Sequence, residues 1–550
     1  MIYTLASDGD FRKNGERYIP VGVNYWPASC GVEMWQEWPA DEIRRDLDLL
    51  AELGLDCIRF FLRWQDFEPV AGVYDQKQFE RLRQFVGWCG ERGIAAHPSL
   101  FVGFMSGGVF WPQWKGNRNL FSDPEIVARA EAFASAAANA LKDQQEHILA
   151  IDQGNEICCL GESSAASPHF VAEWCRRISA AIHVQLPGIA IISGNEQNQV
   201  VNDTGWRFGA QAGCDLYSMH SYPVPSWHTI GFAGMNDPLC QELLPFFVRC
   251  ARSFGPVFVQ EFGTIATFGA AQQDAYLRAI LPACRQAGAN GFLMWCFRDV
   301  VADVHPYTKN GMESTLGLVD AKGNIKPGWE YFLEFAKSLK MSGPPPAKNA
   351  SIGIVWPEQY YDRENQWNPG NKPVDLSRRM IIANHLLRTL GHTSEVLRTG
   401  NIPAHIRTLV LPGTQLVRGE IRQIETFVRA GGQVLWHGPA AMNLGYDAIR
   451  LLGAVPVEYA ASNPTSTQIF GSSWNFPAFP QNTRMVVTPN TARVLASDAV
   501  GPLILENQLG KGRIRWTVPL IEDGPAAVSH QVSKRDLWSG FYSGMLGDLV

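Results

Sequence analysis

Over roughly residues 18–340, short apolar runs alternate with amphipathic segments. Runs at 18–24, 57–61, 94–100, 148–154, 189–193, 216–220, 257–261 and 291–296 predict strands. They are nearly continuous in apolar character, as strands covered on both faces require. Between them apolar residues recur at helical spacing. In 41–53, Ile43, Leu47, Leu50 and Leu53 form one stripe. The Ala-rich stretch 124–141 follows Ser122-Asp123, a capping pair, and places Pro124 in the first turn. Stretches 237–254 and 271–287 read the same way. Eight strand–helix units in one series predict an α/β chain with a (β/α)8 TIM barrel. A doubly wound open sheet would need a Gly-rich phosphate loop after its first strand, and Asn24-Tyr25-Trp26-Pro27 is not one.

The pattern breaks at 342–347, where Pro344, Pro345 and Pro346 follow Ser342-Gly343. The predicted division is a catalytic barrel at 1–341, a Pro-rich linker at 342–350 and an α/β domain at 351–550. In that second domain 351–356, 408–411 and 432–436 read as strands, with helices at 376–390 and 418–430 between them. A segment at about 456–500, rich in Ser, Thr, Asn and Pro, reads as a β-rich insertion. A hairpin at 502–507 and 513–519, turning at Gly510-Lys511-Gly512, is expected to rejoin the sheet. No internal repeat is evident.

Composition narrows the function classes. A hydrophobic content of 46% with 18% charged residues describes a globular protein. A formal net charge of -6 disfavours nucleic acid or an anionic membrane as partner. No stretch approaches the roughly 18 apolar residues of a membrane span. The first residues lack a basic start and an apolar core, so a cytoplasmic location is expected. The 11 cysteines show no CxxC pair, so no metal site is expected, and they read as buried free thiols. The 18 tryptophans suit packing, and secondarily the stacking of sugar rings on indole faces.

Chemistry concentrates at the C-terminal ends of the predicted strands, where barrel enzymes keep it. The second strand carries Arg59 and the third His97. The fourth ends at Asn155-Glu156, the sixth at His220-Ser221-Tyr222, the seventh at Glu261 and the eighth at Trp295. Two carboxylates at the mouth of a barrel can divide the work of nucleophile and general acid/base in glycoside hydrolysis.

This set resembles glycoside hydrolase family 5, whose shared Arg, His, Asn, Glu, His, Tyr, Glu and Trp match Arg59, His97, Asn155, Glu156, His220, Tyr222, Glu261 and Trp295 in order. The resemblance spans about the first 340 residues and implies a retaining enzyme without cofactor. Glu261 would be the nucleophile, its pKa held low by Arg59, with a hydrogen bond from Tyr222. Glu156 would be the acid/base, tuned by His220. Asn155 would hold the sugar 2-hydroxyl, His97 would touch the same ring and Trp295 would be its floor. Loop residues Tyr25, Trp26, Trp111, Trp114, Glu196 and Arg298 are further subsite candidates.

A barrel followed by an amidotransferase-like domain also resembles the trimeric β-galactosidases of glycoside hydrolase family 42, through stretches 407–412 and 427–435. No Cys stands at a strand-to-helix elbow there, and the zinc-binding cysteines of family 42 are missing. Family 42 in turn lacks the pair His97 and His220. The composite resembles the β-mannosidase-type members of family 5. It implies an exo-acting enzyme removing β-linked mannose from short oligosaccharides, such as the Manβ1,4GlcNAc core of N-glycans, and a homo-oligomer, expected to be a trimer. β-Galactosidase or β-glucosidase activity is the alternative within the clan. An inactive sugar-binding scaffold is the alternative outside it.

Overall fold

The computed structural model describes residues 3–265, 268–342, 350–361, 372–438, 445–461, 466–478 and 482–547. Most of the predicted linker, 343–349, lies outside the described residues. The chain divides into two compact units. One comprises 1–199, 203–224 and 254–346; the other comprises 200–202, 225–253 and 347–550.

In the first unit eight parallel strands run Val21–Asn24, Cys57–Phe61, Ala95–Val102, Ala150–Asn155, Ala190–Ile192, Tyr217–Ser221, Val257–Phe262 and Ala289–Met294. Each pairs with its neighbours in chain order, and the eighth returns to the first. A bridge between Ile192 and Leu216 joins the fifth to the sixth and closes the barrel. All eight predicted strands are present. The first is shorter than expected: 18–24 splits into Glu16–Tyr18 and Val21–Asn24 around Pro20, which has no N–H for a ladder.

Sequence patterning missed a small antiparallel sheet of Tyr3–Leu5, Phe11–Lys13 and Glu16–Tyr18, because three-residue strands carry no periodic signal. Its Tyr3, Phe11 and Tyr18 share one buried cluster with Cys57, Ala95, Leu149 and Phe258, at the N-terminal ends of barrel strands. Burying each ring contributes about 1.5–3 kcal/mol. The plug closes the floor of the barrel and leaves the opposite mouth for chemistry.

The second unit is a seven-stranded sheet ordered Ser394–Leu397, Ile352–Val355, Thr408–Pro412, Gln433–His437, Gly512–Thr517, Pro502–Leu509 and Arg493–Ser497. The first five strands are parallel, and the sixth pairs antiparallel with both the fifth and the seventh. Two ribbons, Ala454–Ala461 with Thr483–Pro489 and Ser466–Ile469 with Ser472–Asn475, make up the expected β-rich insertion. The unit also contains helix Pro238–Arg252, which the sequence pattern groups with the barrel helices. Within that unit Asp237, which caps the helix, takes two hydrogen bonds from buried Arg535 at 2.8 and 2.9 Å.

Candidate active site

Barrel register sets the site. Asn24 pairs with Arg59 and Arg59 with His97, so these side chains stand at one level of the barrel. His220 pairs with Glu261 just after a register shift at Met219/His220, and such irregularities re-aim side chains. Glu156 follows the fourth strand in left-handed backbone, with φ 48°, a conformation that costs a non-glycine residue about 1–3 kcal/mol. Its N–H donates to the Gly194 carbonyl at 2.8 Å. Gly194 is required there: its φ is +68°, and a Cβ would lie 1.7 Å from the Gly154 oxygen.

Arg59, fully buried, organises the centre. It donates to Asp152 Oδ2 at 2.9 and 2.6 Å, to Glu261 Oε1 at 2.8 Å, to Asn155 Oδ1 at 2.9 Å and to Asn24 Oδ1 at 3.1 Å. The Tyr222 hydroxyl donates to the other Glu261 oxygen at 2.7 Å. His220 Nδ1 lies 2.9 Å from Glu156 Oε1 and 3.4 Å from Glu261 Oε1. The nearest donor atoms of Glu156, His220 and Glu261 are all within 4.8 Å of one another. Both carboxyl groups therefore face one small space.

Burial pushes the Glu156 carboxyl up to about 7, with Arg59 opposing. It also lifts Glu261; His220, Arg59 and the Tyr222 phenol oppose the lift and Glu156 adds to it. This corrects the expectation that Arg59 holds Glu261 below the usual carboxylate range: the dry surroundings outweigh the guanidinium. Burial lowers His220 to about 4, so its imidazole is neutral at pH 7.

Hydrogen bonding shows how the other expected site residues are held. His97 was expected to touch sugar, yet its Nδ1 meets the Ala150 carbonyl at 2.9 Å and its Nε2 meets Gln260 Nε2 at 2.6 Å. Both ring nitrogens are engaged, and burial lowers its pKa to about 3. The Tyr25 hydroxyl donates to buried Asp46 at 2.9 Å, and Arg298 pairs with the same carboxyl at 3.5 Å. Both side chains thus meet at the Asp46 carboxyl. Trp26 is buried against Phe61. Trp114 donates to the Glu68 carbonyl at 2.8 Å, and half-buried Trp111 packs edge-on to Trp64. Glu196 is bonded by Cys158, Cys159 and the Asn198 N–H.

Asn155 Nδ2 donates to the Phe104 carbonyl at 2.8 Å, tying the end of the fourth strand to the segment after the third. Trp295 Nε1 donates to Glu313 at 3.2 Å, and its ring meets Phe61 edge-on. Asp152, Gln260 and Glu313 are site residues the motif reading missed. A charged Asp152 inside an apolar strand was the available signal, since a buried carboxylate demands a cation. Glu313, in the short 3-10 helix Gly311–Thr315, offered none.

Over 98% of this chain and 99% of the other, the fold matches an exo-β-1,4-mannosidase, Op5Man5 from Opitutaceae bacterium strain TAV5, at 45% identity and a TM-score of 0.94. The chain belongs to glycoside hydrolase family 5. It is a glycosidase. A GH5_18 protein from Streptomyces cattleya, solved with Manβ1-4GlcNAc, shares the fold at 22% identity and a TM-score of 0.62, over 72% of this chain and 99% of that one. Gan42B, a GH42 β-galactosidase from G. stearothermophilus, shares it at 15% identity and 0.66, over 97% and 88%. The two-unit plan of this family 5 chain is thus also found in a family 42 protein. No protein-family model matches the chain, and no curated protein does. Among the described residues no helix is long and apolar enough to cross a membrane.

Proposed function

We propose that the chain is a retaining, exo-acting β-mannosidase that removes single mannose units from the non-reducing end of short β-linked oligosaccharides, Manβ1,4GlcNAc among them. The observation that carries the mechanism is the approach of Glu156 and Glu261, whose nearest oxygens lie within 4.8 Å. Retaining enzymes hold their carboxyl groups about 5–5.5 Å apart; inverting ones need about 6.5–9.5 Å to seat a water between them.

The surroundings support a division of labour. Glu261 accepts hydrogen bonds from a guanidinium and a phenol, which favour its ionised form, so it attacks the anomeric carbon. Glu156, lifted to about 7, retains a proton for the leaving glycosidic oxygen. Once Glu261 is esterified its charge is gone. Glu156 then ionises more readily, and as base it takes the proton of the water that releases mannose. Asn155, fixed by Arg59 and Phe104, keeps one amide hydrogen for a sugar hydroxyl.

Exo action is supported by two loops that meet across the mouth. Asn310 Nδ2 donates to the Ser106 carbonyl at 3.0 Å, and the Phe110 and His305 rings pack 5.6 Å apart. Such a wall suits a pocket that takes a chain end and not a groove that takes a chain middle. The preference for mannose rests on the 45% identity to an exo-β-1,4-mannosidase.

Turnover of p-nitrophenyl β-glycosides, together with product analysis on β-1,4-mannohexaose, tests both halves. The expected result is preference for the mannoside and mannose as the first product. Preference for galactoside or glucoside overturns the sugar, an initial mannobiose product overturns exo action, and binding without turnover of any glycoside makes the chain a scaffold.

A further inference from the structure

Beside the carboxylate pair lies a second group of donor atoms that the hydrolytic reaction does not use. Cys158 and Cys159 form the turn Ile157–Cys159 that follows Glu156. Both thiols address one carboxylate oxygen: Sγ of Cys158 is 3.4 Å and Sγ of Cys159 3.5 Å from Glu196 Oε1. The three donor atoms lie within 4.8 Å of one another.

Those spacings have a specific meaning. A tetrahedral zinc ion with Zn–S of about 2.3 Å and Zn–O of about 2.0–2.2 Å separates its sulfur and oxygen ligands by about 3.5 Å. The two sulfur–oxygen edges, 3.4 and 3.5 Å, are compatible with that value. Two sulfurs exclude calcium and magnesium, which require shells of oxygen, and select a thiophilic ion.

The ligands are also held in place. The Cys158 N–H donates to Asn195 Oδ1 at 3.1 Å, the Cys159 N–H to the Glu156 carbonyl at 2.9 Å, and the Asn198 N–H to Glu196 Oε1 at 2.8 Å. Cys158 and Glu196 are buried, whereas Cys159 is exposed. An ion can therefore arrive from solvent and keep a water as its fourth ligand. Of the 11 cysteines, this exposed one stands directly next to another cysteine and a carboxylate.

We propose that Cys158, Cys159 and Glu196 form a binding site for one zinc-like, thiophilic divalent ion per chain. Binding forms two metal–sulfur bonds and one metal–oxygen bond. The two thiol protons, which otherwise bond to Glu196, leave to solvent, and no oxidant or reductant takes part. The reading is independent of the sugar preference.

The test uses the full chain, stripped with a chelator and titrated with Cd2+ and then Zn2+. The expected result is a thiolate-to-cadmium charge-transfer band that saturates at one ion per chain and is displaced by Zn2+. Cys159→Ser should keep glycoside turnover, showing that it is folded. It should lose affinity by more than the roughly 10–100-fold that a missing outer-shell partner costs. Cys214→Ser, a half-buried cysteine outside the cluster, should titrate like the native chain. Absence of the band at one equivalent, or an unchanged affinity in Cys159→Ser, overturns the site and leaves two thiols hydrogen-bonded to a buried carboxyl.

Discussion

Asp152 holds Arg59 through two hydrogen bonds, 2.9 and 2.6 Å long, with both side chains shut off from solvent. The pair fixes the guanidinium so that its remaining nitrogen edge meets Glu261 and Asn155. Asp152→Ala leaves that charge without its strongest partner in a dry interior. Breaking such a pair costs about 3–5 kcal/mol. The expected outcome is a large fall in Tm together with a lower kcat. An unchanged melting curve would mean that Arg59 finds its support elsewhere.

Separating the two carboxylates by mutation should give different kinetics. Glu261→Ala removes the proposed nucleophile, and turnover should vanish on every substrate. Glu156→Ala removes general acid/base help, worth about 10²–10⁴-fold. The loss should be large on a natural disaccharide and small for the first step on an activated aryl mannoside, and azide should restore turnover. Intact hydrolysis of Manβ1,4GlcNAc by Glu156→Ala would reverse the assignment.

The pH profile follows from the same pair. The proposed mechanism requires Glu156 protonated and Glu261 ionised. Because Glu156 stands at about 7, kcat/KM should fall as pH rises through that value. Because burial lifts Glu261 as well, the acidic limb should lie above the ordinary carboxylate range. Measured on free enzyme, the result is a narrow bell. A plateau extending well above pH 8 would contradict the raised Glu156.

His97 ties acid sensitivity to the fold. Its folded pKa is about 3 against 6.5 for a free imidazole, so between those values the unfolded chain binds a proton that the folded chain refuses. Its contribution to stability is complete above pH 6.5 and declines as pH falls toward 3, at about 1.36 kcal/mol per pH unit. Glu156 acts in the opposite sense, since its raised pKa favours the folded state as pH falls from 7. His97→Gln should therefore lower stability at pH 7 but flatten its decline in acid, as urea unfolding at several pH values would show.

The sequence by itself determined the barrel and which polar groups stand at its mouth. Continuous apolar runs at eight places demanded a sheet covered on both faces, and their polar C-terminal ends marked Arg59, Asn155, Glu156, His220, Tyr222, Glu261 and Trp295, because strand order maps directly onto a barrel mouth. Tertiary structure decided how those groups are wired. Asp152 and Gln260 lie inside strands whose pattern says only that they are buried; the barrel interior makes one the anchor of Arg59 and the other a partner of His97. Tyr25 and Arg298 follow barrel strands like true site residues, yet both meet Asp46. Patterning along one chain reports which face a residue takes, but hydrogen-bond partners and burial depend on what arrives from distant strands, and the pKa values depend on both.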